Sequence, residues 1–257
     1  MRLRDRGAIS IASVAVVLAV WQAAGWFKWI DPLLLPAPAE VVRTAIDIAV
    51  HGYQQTPLWV HTLISVARAA TAFAASIALG VPLGLLMGMS PVLNAILDPF
   101  VQFLRPLPKI ALIPLTVVWF GIGEGSKFFL IFIASFLSIL VGAAAAVGSI
   151  GTARLRAAQV LGASRAQIFR YVVLPHTLPE LFTNVRLALG IGWTSLIAAE
   201  LVAANAGLGW MVLNAGNYLR TDVVILGIIM LGLIGYLLDA LLVLAQRRLV
   251  PWAGKDA

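Results

Sequence analysis

Cysteine is absent from this chain of 257 residues, and charged residues make up only 11% of it. Without a thiol, the chain can form no disulfide bond, thiolate zinc site or iron–sulfur cluster. Soluble globular domains carry about 25% charged residues. A chain that is 61% hydrophobic has too few polar side chains to cover a water-exposed surface. These shortages exclude an ordinary soluble fold and favour lipid as the main solvent.

Several functional signatures are also missing. No basic patch with interleaved aromatic residues occurs, so we expect no nucleic-acid partner despite the net charge of +7. The three histidines are scattered and form no His-Glu-x-x-His pattern, so we expect no metal site. The glycine-rich run 121–127 lacks the spacing of a phosphate loop and is interpreted as an outer loop. No Ser/His, Asp/Asp or His/Glu constellation indicates an intramembrane enzyme, so we expect no catalytic residues.

Long apolar segments are what the chain does contain. A bilayer-spanning helix needs roughly 20 apolar residues, and the N-terminal segment is too long for the core of a signal peptide. The stretch 31–58 is rich in Pro and is predicted to be an extracytoplasmic connection with an interfacial helix from Glu40 to Val50. The sequence therefore predicts an all-α polytopic membrane protein with about six spans, near 8–27, 61–89, 93–119, 128–148, 182–203 and 223–245.

The distribution of Lys and Arg predicts the orientation. Cytoplasmic loops of membrane proteins carry the excess of positive charge. With the N-terminus inside, four cations fall in outer segments: Lys28, Arg43, Lys127 and Arg220. Ten fall in cytoplasmic segments: Arg2, Arg4, Arg6, Arg154, Arg156, Arg165, Arg170, Arg247, Arg248 and Lys255. An even number of spans returns the chain to the same side, so we predict that both termini are cytoplasmic.

The second span has a face of small residues. Gly80, Gly84 and Gly88 are spaced four apart, which permits the close approach of another helix. That helix belongs either to the same subunit, the more common case, or to a neighbouring subunit.

The third span is interrupted near its middle by prolines and by the cations Arg105 and Lys109. Irregular backbone and charge at membrane depth are tolerated only where they are buried in protein or line water. These two cations are therefore candidates for a translocation pathway. In the alternative, they pair structurally with buried acids such as Asp98 or Glu200.

The fifth span carries polar side chains in an otherwise apolar helix. Arg186, Trp193 and Glu200 are seven residues apart and share one face, and Thr194 and Ser195 follow Trp193. This stripe either lines a water-filled pathway, in which Arg186 would attract an anion, or forms hydrogen bonds between helices.

The cytoplasmic segment 150–181 is predicted to be helix, break, helix. Residues 153–161 are good helix formers, and Gly162 suits the position that ends a helix. Ser164 and Gln167 have the spacing of a capping box.

The second helix of this segment is expected to end at Leu174-Pro175, so that Pro179 is an early residue of the fifth span. A short helix on a sharp turn suits the docking of a cytosolic partner. A plain amphipathic linker at the lipid surface is the alternative.

This segment resembles the cytoplasmic loop of ABC importer permeases, which reads Glu-Ala-Ala-x3-Gly-x9-Ile-x-Leu-Pro. Ala157-Ala158, Gly162 and Leu174-Pro175 stand at the matching spacing. Val172 stands in the Ile position, and Arg156 replaces the family Glu.

Other motifs narrow the resemblance to the permeases for nitrate, sulfonate and taurine, and among these to the taurine permeases. The similarity runs from about residue 60 to the end of the chain. It is carried by Arg105-Pro-Leu-Pro, Ile113-Pro-Leu, Trp119-Phe-Gly-Ile-Gly-Glu-Gly-Ser-Lys127, Leu178-Pro-Glu, Trp193-Thr-Ser-Leu-Ile-Ala-Ala-Glu200, Gly207-Leu-Gly, Thr221-Asp-Val-Val224 and Gln246-Arg-Arg-Leu-Val-Pro-Trp252.

The resemblance implies a type I importer permease fold with a cytoplasmic coupling helix. The permease domain would cover 58–248, preceded by a helix and connection at 1–57 and followed by a cytoplasmic tail at 249–257. The coupling loop would comprise Arg154, Arg156, Ala157, Ala158, Leu161, Gly162, Ala163, Ser164, Leu174 and Pro175.

The resemblance also implies partners in a bacterial inner membrane. They are two copies of an ABC ATPase, a second permease copy that makes a homodimer, and a periplasmic substrate-binding protein. ATP and magnesium would be bound by the ATPase, and this chain would hold no cofactor. The implied solute is taurine or another sulfonate, while relatives serve nitrate and small heterocycles. A secondary transporter or channel without an ATPase is the alternative of another class, although the sequence shows no inverted repeat to support it.

Overall fold

The computed structural model describes the backbone of residues 3–253, and side chains at 9, 11–202 and 204–253. Arg2 and Lys255, and the side chains of Arg4 and Arg6, lie outside the described residues. The described chain is helical, with one isolated bridge between Tyr53 and Thr56. The helices are α1 Leu3–Trp26, α2 Pro38–His51, α3 Leu58–Met89, α4 Pro91–Leu104, α5 Ile113–Phe120, α6 Glu124–Gly148, α7 Thr152–Val160, α8 Arg165–Ile168, α9 Leu174–Ala203, α10 Leu208–Asn217 and α11 Thr221–Leu249.

Four helices of the described chain are long and apolar enough to cross a bilayer: Leu58–Met89, Glu124–Gly148, Arg165–Val202 and Thr221–Leu249. A fifth candidate is a pair of shorter helices, α4 and the helical stretch Lys109–Phe120, which meet at an angle of 92°. The part of α1 whose side chains the structure describes adds a shorter apolar stretch, Ile11–Trp26. The all-α polytopic class is confirmed. The third of the six predicted spans is broken, as predicted from its prolines.

The chain divides into two compact units, of which unit 1 comprises Met1–Ile64 and Asn205–Gly232. In unit 1, the Trp21 indole donates to the Pro36 carbonyl at 3.1 Å and ties α1 to the start of α2. The predicted interfacial helix is α2. Thr44 in α2 donates to Asp222, at the start of α11, at 2.8 Å. The buried Tyr53 hydroxyl donates to Asn214 of α10 at 2.7 Å, and burial raises the pKa of that phenol.

Unit 2 comprises Ser65–Ala204 and Leu233–Ala257. Its core lies along α6, from which twelve residues are buried. The small-residue face of α3 packs against this helix. A Cβ placed on Gly88 would lie 2.5 Å from that of Val147, and one placed on Gly84 would collide with the Leu140 carbonyl oxygen. The glycine face is therefore covered within the chain, as the more common alternative predicted.

Lys109 accounts for the geometry of the break between α4 and α5. Its ammonium group donates to the carbonyls of Leu104, Arg105 and Leu107 at 2.8, 3.1 and 2.9 Å. The Leu104 carbonyl belongs to the last turn of α4, which leaves its acceptors without partners, and the other two carbonyls lie in the break itself. A lysine at this point holds the turn together, because its three N–H donors fill three carbonyls at once.

The predicted end of the second cytoplasmic helix at Leu174-Pro175 is wrong. A π-helical turn over Phe169–Val173 joins α8 to α9, and Pro179 lies inside α9. The Leu174 N–H reaches the Phe169 carbonyl, five residues back. Proline has no N–H and its ring crowds the carbonyl four residues earlier, so a wider turn lets the helix pass Pro175 without ending.

Two further differences concern short elements. Residues 124–127, interpreted as part of an outer loop, form the first turn of α6, and only 121–123 form a turn outside it. The helix α10 was not predicted, because a ten-residue stretch that follows Gly207 and contains two asparagines does not reach the length of a span.

Candidate functional site

The α7 segment ends in a Schellman motif at Gly162. The Gly162 N–H bonds the Gln159 carbonyl at 2.9 Å, and the Ala163 N–H bonds the Ala158 carbonyl at 3.1 Å. This pattern requires a left-handed residue, and Gly162 has φ +78°. A Cβ on Gly162 would meet no atom within 4 Å, so the space beside it is open.

The predicted capping box is confirmed. The Ser164 hydroxyl accepts from the Gln167 N–H at 3.3 Å, and the Ser164 N–H donates to the Gln167 side chain at 2.8 Å. The end of α7 nevertheless projects apolar surface, since Val160 and Leu161 are each 86% exposed. Arg156 is also exposed, as is the neighbouring Ala157.

The base of this loop is attached to the transmembrane helices. Leu155 of α7 packs on a buried apolar cluster built around Val147 and Leu181. Arg154 lies 3.0 Å from His176 of α9. Because arginine can only donate, the His176 Nδ1 accepts. The start of α9 is therefore joined to α7 through both packing and hydrogen bonding.

Arg105 and Lys109 meet in one cavity of about 400 Å³ in unit 2. Its walls come from α6, α9 and the break after α4. Ser138 and Asn184 add polar groups, and the rest of the lining is apolar or Gly: Ala134, Leu137, Val141, Gly142, Ala145, Leu187 and Ile191. Asn184 donates to the Gly142 carbonyl at 3.0 Å. Among the described residues, the lining of the cavity thus has two cations and no carboxylate.

The polar stripe of the fifth span is divided among different neighbours. Arg186 forms a two-point ion pair with Asp239 of α11, at 2.8 and 2.9 Å. Trp193 is buried against α11, where a Cβ on Gly235 would lie 3.2 Å from its Nε1 atom. Glu200 is fully buried.

The remaining members of the stripe bond within their own helix. Thr194 and Ser195 donate to the Ile191 carbonyl at 2.8 and 2.9 Å, and the Thr194 side chain is exposed while Ser195 is buried. The stripe therefore makes contacts between helices at three levels of α9. A role of these residues in lining a pathway stays a prediction.

The sequence analysis missed Arg68, which organises the charged cluster around Glu200. Arg68 donates to Glu200 at 2.7 Å and, with two nitrogens, to Glu124 at 2.6 Å. Ser65 also donates to Glu200, and Lys127 lies 3.2 Å from Glu124. Two cations thus balance two carboxylates across α3, α6 and α9. An arginine inside an apolar run indicates such a site, so Arg68 could have been recognised from the sequence.

Apolar helices long enough to cross a bilayer, one of them a bent pair, an exposed cytoplasmic-type loop at Gly162 and a polar cavity are the features of the described residues to compare with known proteins. The family model of the binding-protein-dependent transport system inner membrane component matches residues 80–251. The chain belongs to this family, so it is a multi-pass inner membrane protein and a permease subunit.

The relatives and a solved structure agree with this membership. The taurine transport system permease protein TauC of Escherichia coli (strain K12) is 46% identical over 248 residues, which cover 96% of this chain and 90% of TauC. SsuC of the same strain, named for the transport of aliphatic sulfonates, is 37% identical over 236 residues, 92% of this chain and 88% of SsuC. A chain of the inward-facing MetNI methionine ABC transporter has the same fold, with a TM-score of 0.63 and 23% identity over 76% of this chain and 95% of that one.

Proposed function

We propose that the chain is the membrane subunit of an ATP-driven ABC importer for taurine or a closely related organic sulfonate. The observation that carries the importer class is the loop at Gly162, because it presents an exposed apolar helix end on a base that is attached to α6 and α9. The substrate class is supported by the taurine and aliphatic sulfonate relatives.

In this proposal, a cytosolic ATPase binds ATP and magnesium and docks on α7, and a periplasmic binding protein delivers the solute. The chain itself hydrolyses nothing. Two permease copies form a homodimer that carries two ATPases. Both termini are cytoplasmic, with a permease domain over 58–248, a preceding segment at 1–57 and a tail at 249–257.

The proposal is tested first by co-purification. The chain is expressed with the ATPase encoded beside it, extracted in mild detergent, and its subunit stoichiometry is determined by light scattering or native mass spectrometry. We expect two permeases and two ATPases. Reconstituted with the neighbouring binding protein, this complex should import taurine when ATP is supplied, and excess nitrate should not compete. A chain that purifies without an ATPase would overturn the proposal.

The docking role of α7 is tested by comparing two variants, each with one aspartate introduced at one end of the helix. Gly162 has φ +78° and faces open space, whereas Gly151 has φ −59° and also faces open space. Neither Gly162→Asp nor Gly151→Asp clashes within the chain, so both variants should insert and fold.

We expect Gly162→Asp to abolish ATP hydrolysis stimulated by the loaded binding protein, because the side chain and the altered turn misdirect the docking helix. Gly151→Asp should retain most of this stimulation. If both variants hydrolyse ATP at the stimulated rate of the wild-type complex, Gly162 has no role in docking.

A further inference from the structure

Arg105 is exposed and lines the cavity between α6, α9 and the break after α4. Its side chain ends in a guanidinium group. In the part of the chain that the structure describes, this group has no hydrogen bond and no ion pair. That distinguishes it from Arg68 and Arg186, which are both paired with carboxylates. An unpaired cation in a segment between two apolar helices is costly unless it faces water or an anion.

Lys109 supplies charge to the same cavity in a different way. Its three N–H donors are taken up by three carbonyls, so its ammonium group fixes the backbone that carries Arg105. The positive charge remains beside the cavity, while the donors that a ligand can use belong to Arg105. A guanidinium offers five donors in a planar fork, which suits a multi-oxygen anion.

The rest of the lining determines what kind of anion fits. The polar groups of Ser138 and Asn184 lie among apolar side chains, so there is room for an alkyl portion beside the charged end. A volume of about 400 Å³ is in the range of small-molecule sites. In the described part of the chain, the lining offers no carboxylate to a cationic group.

We propose that this cavity is a transient binding site for the oxyanion head of an organic sulfonate, and that it recognises the sulfonate and not the amine of a solute such as taurine. This inference rests on the proposed function, because it assigns a site to the solute of that importer. Binding here must be weak, since a transport pathway has to release what it binds. Discrimination between taurine and other short sulfonates is therefore made elsewhere.

The absence of native cysteine permits a test by chemical modification. Ser138→Cys places one thiol in the cavity of each permease copy of the intact permease–ATPase complex, held in phosphatidylcholine nanodiscs, and modification is read on the permease chain alone. The reaction rate is measured with the anionic reagent 2-sulfonatoethyl methanethiosulfonate and with its trimethylammonium analogue. We expect the anionic reagent to react faster. Arg105→Gln should lower the anionic-to-cationic rate ratio about fivefold, because one nearby charge is lost.

Two controls match this design. Arg43→Gln removes an exposed cation of unit 1 and should leave the ratio at Ser138→Cys unchanged. Gln55→Cys places the thiol on an exposed turn, where Arg105→Gln should have no effect. An unchanged ratio at Ser138→Cys in the Arg105→Gln variant would overturn the proposal.

Protection of the Ser138→Cys thiol from modification by added solutes identifies the chemical group that the cavity recognises. Ethanesulfonate and taurine should slow the modification at similar concentrations, and ethylamine should not. Protection by taurine alone would contradict recognition of the sulfonate.

Replacing phosphatidylcholine by phosphatidylglycerol tests the other source of an oxyanion, which is the lipid headgroup. If the anionic lipid itself blocks the thiol and added sulfonate does nothing, the cavity is a lipid site and the proposal fails.

Transport measurements separate this inference from the proposed function. We expect Arg105→Gln to lower sulfonate uptake by about tenfold, because the positive charge that attracts the anion is lost, while ATP hydrolysis stimulated by the binding protein persists. If the wild-type complex imports taurine and Arg105→Gln does so equally well, the cavity assignment is wrong and the importer stands. If the wild-type complex imports no sulfonate but sulfonates protect Ser138→Cys, the proposed substrate is wrong and the anion site stands.

Discussion

Individual charges in this protein have different environments although they look alike in the sequence. Arg68 is nearly buried and bridges two carboxylates, one of them on the fully buried Glu200. Arg220 is half exposed and pairs with Asp222. Breaking a buried pair leaves a charge without compensation, whereas water solvates the members of an exposed pair.

At the residue scale we predict that Arg68→Ala lowers the free energy of unfolding by about 3–5 kcal/mol, because Glu200 is left charged and buried. Arg220→Ala is the matched control and should cost at most about 1 kcal/mol. Thermal unfolding in detergent, with ligand absent, measures both.

The double variant Arg68→Met with Glu200→Leu checks the cause. Because it removes both charges together, it should lose less stability than Arg68→Ala. If the destabilisation of the double variant equals the sum of the destabilisations measured for each substitution alone, the two side chains are not energetically coupled.

At the scale of helices, close backbone approach decides how α3 meets α6. The glycines of α3 let the backbone of α6 come into contact, so that Ser76 of α3 donates to the Phe132 carbonyl at 3.0 Å. In lipid, helices gain little from apolar burial against each other, and tight packing with hydrogen bonds takes its place.

We predict that Gly84→Ala destabilises the protein by about 1–3 kcal/mol, because its Cβ would lie 2.6 Å from that of Ala143 and collide with the Leu140 carbonyl. Gly190→Ala in α9 is the matched control, since a Cβ there meets no atom within 4 Å. It should be neutral or stabilising by up to about 1 kcal/mol. Equal unfolding temperatures for the two variants would show that the α3–α6 contact is not tight.

At the scale of the whole molecule, the orientation in the membrane is predicted from the distribution of charge. The predicted cytoplasmic side carries α7, and the predicted outer side carries the turn before α3. The cysteine-free chain lets a single introduced thiol report its side without background.

We predict that Gln55→Cys reacts with a membrane-impermeant maleimide in intact spheroplasts, because it lies in an exposed turn on the outer side. Val160→Cys, which is also exposed, should react only after permeabilisation, in cells that express the chain without the ATPase proposed to dock on α7. Labelling is read on gels after purification. Reaction of Val160→Cys in intact spheroplasts would reverse the predicted topology.

Local sequence signals by themselves determined much of this protein. Low charge and long apolar runs established the membrane class, the loop spacing indicated the permease family, and the prolines around Arg105 predicted the broken span. The capping box at Ser164 and the turn at Gly162 were predictable for the same reason, because each depends on a few residues that are adjacent in the chain.

Only the tertiary structure decided which groups meet. A pattern shows which face of a helix a residue occupies, but not which helix covers that face. The structure paired Arg186 with Asp239 and Arg68 with Glu200, and it brought Arg105 into a cavity with α6 and α9. It also carried α8 through a π turn past Pro175, where the local rule predicted an end. The physical reason is that partners distant in sequence are selected by helix packing, and the energy of that packing depends on all of the helices in contact.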